Sequence, residues 1–225
     1  MGSVMTIGEW IEDVRRCMDE DVQNASCLRD AVTDLGSMDN MIRSRSRDAL
    51  LFAALHAPLE LLAGDSGMVF DYTATSPGIR VTESQERGCT VVELPGDFVR
   101  LSRVRGYGWH RAVLEPLVES SDAALALMDV TGAATEDRPQ AVLVNRSAQC
   151  LELYPKVSAF ELSLVLAPEA LSEQILRGGL DDEVEIPYKI RSIVSYYTAY
   201  LVLSGYRDGG AKAMLEAVKN VMGGK

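Results

Sequence analysis

Histidine is the scarcest chemical resource in this chain, with His56 and His110 the two examples among 225 residues. Neither has a carboxylate, a cysteine or the other histidine at a motif spacing, so no Ser-His-Asp, Cys-His or metal-binding set can be assembled from the sequence. Cysteine is nearly as sparse. Cys17, Cys27, Cys89 and Cys150 include no C-x-x-C pair and no histidine neighbour, which argues against a zinc knot, a dithiol redox motif and a disulfide-built secreted scaffold. The expectation is buried or indifferent thiols in a chain assembled inside a cell. Long apolar runs are missing too. No stretch of about 18 apolar residues exists, so no transmembrane helix is expected. Met1 to Thr6 lack the basic region and apolar run of a signal peptide. The phosphate-binding glycine patterns are absent, and Gly106-x-Gly108 reads as a turn because it opens no helix. Basic residues are outnumbered, 22 Lys and Arg against 33 Asp and Glu, for a net charge of -11. That balance argues against a protein that coats nucleic acid. It suits a surface that lets a duplex pass without sticking, and equally plain solubility. The expectation is no catalytic residue, no cofactor, no metal and no membrane.

What the chain does have is length enough to bury a core, as one domain or a domain with an insertion. Thr6 and Glu9 form a capping box, and Ile7, Trp10, Ile11, Val14 and Met18 follow at helical spacing, with Asp13 and Arg16 facing away. A short helix over Leu28, Ala31, Val32 and Leu35 is closed by Gly36. Ser37 or Asp39 caps the next, which carries Met41 to Leu55 and stops at Pro58. Arg43, Arg45 and Arg47 are the densest basic run, with Arg43 and Arg47 on one face. They read either as a solvated face pairing with acidic neighbours or as a contact to an acidic partner subunit or DNA phosphates. From Leu59 the period shortens to two, and strands are predicted around Met68 to Tyr72 and Ile79 to Val81, with a turn at Ser76-Pro77-Gly78.

The chain is organised around Cys89 to Pro116. Val91, Val92 and Leu94 lead to Pro95-Gly96, then Phe98 to Arg105 form a strand. Gly106-Tyr107-Gly108 supplies a tight turn, and Trp109, Ala112 and Leu114 the returning strand. A short helix near Ser120 to Val130, a loop to Gln140, and strands at Ala141–Asn145, Gln149–Tyr154 and Phe160–Leu166 follow. One or two helical turns are expected over Leu171 to Gly178. The acidic run Asp181 to Glu185 before Ile186-Pro187 predicts a helix start. Ile190, Ile193, Val194, Tyr197 and Leu201 stripe that helix, while Tyr188, Tyr196 and Tyr200 lie off the stripe. A helix apolar on more than one side is the centre of a bundle or a subunit contact. Asp208 caps a last amphipathic helix over Ala211 to Val221. The fold class expected is α+β, with a helical bundle from residues 1–58 and 186–225 and a β-rich insertion from 59–185.

The segment LPGDFVRLSRVRGYGWHRAVLEP, with its L-P-x-D-F-x-R-L strand and returning aromatic and basic residues, resembles the head-to-tail adaptor proteins of phages, the neck rings beneath the portal in short-tailed phages and in phages of gut Bacteroidales. The likeness continues through Asp137-Arg138-Pro139, Leu151-Glu152-Leu153-Tyr154 and the closing helices after Ile186-Pro187. It implies a structural virion protein, assembled in the host cytoplasm, that links portal to tail and lines the DNA exit channel without sequence-specific DNA binding. It also implies a ring of twelve copies, with the portal and further neck or tail proteins as partners. The contact candidates are Tyr188, Tyr196, Tyr200, Arg43, Arg47 and Trp109. The competing reading is a ligand- or carbohydrate-binding β-domain with helical ends, resting on the proximity of Tyr107, Trp109 and His110 in one turn.

Overall fold

The computed structural model describes residues 3–22, 35–62, 67–129, 133–145, 148–206 and 208–223. The described residues form β1 (Ser3–Thr6), α1 (Ile7–Val22), α2 (Leu35–His56), α3 (Leu59–Leu62), β2 (Val69–Thr73), β3 (Arg80–Ser84), β4 (Cys89–Glu93) and β5 (Phe98–Gly106). They continue with β6 (Leu117–Val118), α4 (Asp122–Asp129), β7 (Gln140–Asn145), β8 (Gln149–Tyr154) and β9 (Phe160–Leu166). The chain closes with α5 (Glu169–Arg177), β10 (Glu183–Ile186), α6 (Tyr188–Gly205) and α7 (Ala211–Val221). The fold is therefore mixed α and β. It divides into two units, Met1–Met68 with Ala167–Lys225, and Val69–Leu166. Those limits lie inside the 59–185 span read from the sequence, because α3, α5 and β10 go with the first unit.

In the first unit the capping box is present. The Thr6 amide donates to Glu9 Oε2 at 2.8 Å, and the Glu9 amide donates to Thr6 Oγ1 at 3.1 Å. Behind this cap the whole stripe Ile7, Trp10, Ile11, Val14 and Met18 is buried. Helix α2 begins at Leu35, so Gly36 ends no helix, and Ser37 and Asp39 lie within one. Met38 and Ile42 are buried and carry the helical period through these polar residues. Asp39 pairs with Arg15 at 2.5 Å instead of capping. The helix expected over Leu28, Ala31 and Val32 lies outside the described residues.

The acidic run is also used differently from the expectation. Glu183–Ile186 is a strand, paired antiparallel to β1 from Ser3↔Ile186 to Thr6↔Glu183. Val184 and Ile186 are buried while Glu183 and Glu185 are exposed, the period-two pattern of a half-buried strand. Helix α6 starts at Tyr188 with no acid in its first turn. It packs against α1, α2, α3 and α7, so cover within the chain accounts for much of its second apolar face. Tyr197 stacks on Phe52 with ring centroids 3.8 Å apart.

The second unit holds a three-stranded sheet of order β2-β9-β5 and a five-stranded sheet of order β3-β4-β8-β7-β6. All pairs are antiparallel except β6 with β7. Val92, Ala141, Leu151 and Leu153 of the larger sheet share one core with Leu101, Val104, Leu162 and Leu164 of the smaller. The other face of the larger sheet is covered by Ala124 and Leu127 of α4, which meet Cys89, Val142, Val144 and Tyr154.

The central hairpin is not as expected. Strand β4 pairs with β3 and β8, and β5 with β9, so Pro95-Gly96 carries the chain from one sheet to the other. After Gly106 no returning strand forms. A single bridge, Val104↔Val113, closes the loop. Trp109 turns its ring into the core between the sheets, and burial over 109–114 does not alternate, with Trp109 and Val113 buried and His110, Arg111 and Leu114 exposed.

Candidate functional site

The six residues singled out by sequence are not brought together. Trp109 is 2% exposed in the core of the second unit, which removes it from any contact surface and corrects its assignment as one. Its placement also depends on Gly106, where a Cβ would stand 2.8 Å from the indole Cε2. Tyr107 is 83% exposed and His110 is exposed, while the Trp109 indole is buried away from both. The His110 Nδ1 lies 2.5 Å from Asp137 Oδ1, both side chains open to water. Sequence spacing missed that partner because the loop after α4 delivers it from 27 residues on.

Arg43 and Arg47 both bond to oxygens of their own unit, Arg43 half-buried and Arg47 exposed. Arg43 Nη1 donates to the Gly178 carbonyl at 2.6 Å. Arg47 Nη2 donates to both carboxylate oxygens of Glu169 at 3.0 Å each. Hydrogen bonding to Glu169, and then its charge, raise the Arg47 pKa above its ordinary value. Arg45 lies 3.7 Å from Asp48. All three arginines of the basic run thus meet oxygens of their own chain.

The tyrosines of α6 separate. Tyr200 is half-buried, its ring 5.3 Å from that of Tyr197. Burial first, then the neighbouring Tyr200, pushes the Tyr197 phenol up. Tyr188 is 73% exposed. It opens a cleft of about 370 Å³ between α1 and α6, which Tyr196 also lines. Asp13, Arg16 and Cys17 of α1 form one wall, and Lys189, Arg191, Ser192 and Ser195 of α6 the other. Asp13 ties the walls together. Arg191 donates to Asp13 Oδ2 through Nε at 2.9 Å and through Nη2, and Arg16 Nη1 donates to Oδ1 at 3.2 Å. The sequence put Asp13 and Arg16 on a solvent face, since the α6 partner lies 178 residues away.

A second polar cluster sits inside the five-stranded sheet. Glu152 is 1% exposed. It accepts from Arg87 Nη1 at 2.9 and 3.2 Å and from the Tyr154 hydroxyl at 2.7 Å. Burial, and then the bond to Glu152, push the Tyr154 phenol far above its ordinary range. Arg87 and Tyr154 thus compensate the buried carboxylate of Glu152, on the sheet where Tyr154 meets α4. Among the described residues no group of three or more His, Cys, Asp or Glu side chains is placed to hold a metal ion. Among them also, no helix is long and apolar enough to cross a membrane.

No protein-family model matches the chain, and no curated protein matches it.

Proposed function

We propose that the chain is a structural component of a virion neck, a head-to-tail adaptor whose copies form a ring between portal and tail. The observation that carries this reading is the Leu94–Pro116 segment with its L-P-x-D-F-x-R-L strand. A helical bundle drawn from both ends of the chain, with a strand-rich insertion between them, suits it. In this reading the work is mechanical and the chain is not an enzyme. The helical unit docks on the portal, and the strand-rich unit meets the tail or further neck proteins. Many copies share the load, so modest contacts per subunit suffice. Head-to-tail contacts close into a ring when their rotation closes, twelve copies matching the portal. The acidic surface lets the genome pass without being held.

Tyr188 is the contact residue this reading favours most. It is a large exposed ring on the rigid α6, and tyrosine buries apolar area while its hydroxyl keeps a polar partner. Electron microscopy of the purified protein with and without a portal tests the proposal. Rings, or decoration of the portal's tail-facing end, are expected. A monomer that leaves the portal bare at micromolar concentration overturns it.

A further inference from the structure

We propose that the cleft between α1 and α6 is a binding site for a small organic oxyanion, its phosphate or carboxylate group held by Arg16, Arg191 and Ser195. The inference is independent of ring assembly. Its first support is charge. Arg16, Lys189 and Arg191 line the cleft against the single carboxylate of Asp13, in a chain whose net charge is -11. Asp13 fixes both guanidiniums without exhausting them. Each guanidinium carries five N–H donors, and Asp13 takes two from Arg191 and one from Arg16. Arg191 is the more enclosed of the two, its side chain 27% exposed, while Lys189 Nζ donates to the Glu60 carbonyl at 3.2 Å and keeps its charge at the mouth. Helix α6 adds the positive end of its dipole at the same mouth, since Tyr188 and Lys189 are its first residues.

The second support is Ser195, which is independent of the charges. It is 4% exposed and lines the cleft, yet its Oγ has no hydrogen-bond partner among the described residues. A buried serine in a helix ordinarily bonds back to the carbonyl four residues earlier. Thr198 does this on the same helix, donating to Val194 O at 2.7 Å, and Ser172 does it on α5, donating to Pro168 O at 2.9 Å. Ser195 does not. A buried hydroxyl left unsatisfied carries a penalty, which an acceptor arriving in the cleft removes. The volume, about 370 Å³, exceeds an inorganic ion and falls at the small end of ligand pockets. Tyr188 and Tyr196 offer rings to the ligand's organic part.

The test uses the full chain and two probes, phenyl phosphate and phenylacetate, titrated by calorimetry at low salt. Saturable binding of one probe per chain is expected, and which probe binds distinguishes phosphate from carboxylate. Arg16→Gln removes a positive charge and Ser195→Ala removes a hydroxyl donor. Arg16 is 68% exposed and the Ser195 hydroxyl has no hydrogen-bond partner among the described residues, so neither variant is expected to melt below the wild type. Each should weaken binding about tenfold or more, as loss of a hydrogen bond to a charged group does. Binding of neither probe overturns the proposal, as does binding that both variants retain at wild-type strength.

Discussion

Gly106 is the residue on which the packing of the second unit turns most sharply. A methyl group added there would stand 2.5 Å from Val157 Cγ1 and 2.8 and 2.9 Å from Cε2 and Cδ2 of Trp109. Non-bonded carbons sit at about 3.5–4.0 Å, so each neighbour would have to retreat by more than half an ångström. Neither is free to do so. Thr90 pins Val157 by donating to its carbonyl at 2.7 Å and accepting from its amide at 3.0 Å. The Trp109 amide donates to Gly106 O at 3.1 Å, and its ring is enclosed by the core. Gly106→Ala should therefore destabilise the unit by about 1–3 kcal/mol, the range for overpacking. Trp109→Ala should lose about 3–5 kcal/mol by leaving a cavity. In the double variant the two approaches to the indole are gone while that to Val157 remains, so the added methyl should cost about 1 kcal/mol less than in the wild-type background, a coupling of about 1 kcal/mol. Urea denaturation of the four proteins, followed by far-ultraviolet circular dichroism with exchange of the β5 and β9 amides, measures this. Trp10 lies in the first unit and serves as a fluorescence control. Effects that add to within about 0.5 kcal/mol, or a Gly106→Ala variant as stable as the wild type, would refute the packing argument.

Thr6→Ala removes one half of the capping box and should lower the stability of the first unit by about 0.5–2 kcal/mol; a thermal midpoint identical to wild type would show that β1 alone holds the helix start. Tyr154 keeps its proton in the folded state to higher pH than in the unfolded chain, where a phenol titrates near about 10. Its contribution is therefore complete below about pH 10 and declines above it, by up to about 1.4 kcal/mol per pH unit. Denaturation at a series of alkaline pH values should show a steeper decline for wild type than for Tyr154→Phe, and parallel curves would contradict the assignment. Tyr188→Glu should leave circular dichroism and monomer folding intact while abolishing rings on a portal, and normal assembly by that variant would remove Tyr188 from the interface.

The elements legible in the sequence were those whose burial is decided by near neighbours. The stripe from Ile7 to Met18 is buried as its spacing requires. Strands β7, β8 and β9 fall within a residue of the apolar runs that announce them. The errors have one cause, which is competition from distant chain. Asp181 to Glu185 has the composition of a helix start, yet its alternation lets it pair with Ser3–Thr6 from the other end of the sequence. Trp109 to Leu114 has the composition of a strand, yet the indole is worth more in the core between two sheets than on one face of a hairpin. Gly36 and Ser37 look like helix punctuation, but the burial of Met38 and Ile42 on both sides of Asn40 keeps the helix running.

The same limit governs the polar chemistry, and it bears on where a partner could bind. Arg15 meets Asp39, Arg43 meets Gly178, Arg47 meets Glu169, Arg87 meets Glu152 and Arg191 meets Asp13. Each pair joins residues that no local pattern connects. In a chain with a net charge of -11 a basic run invites assignment to an external acid, but here the chain's own oxygens arrive first. Arg43 and Arg47 already hold oxygens of their own chain, and a further exposed ion pair to another subunit adds at most about 1 kcal/mol. A contact that adds apolar area is not held to that ceiling. On the helical unit that condition is met by the Tyr188 ring and not by the arginines. The cleft beside it differs again, because there the cations outnumber the carboxylate that holds them.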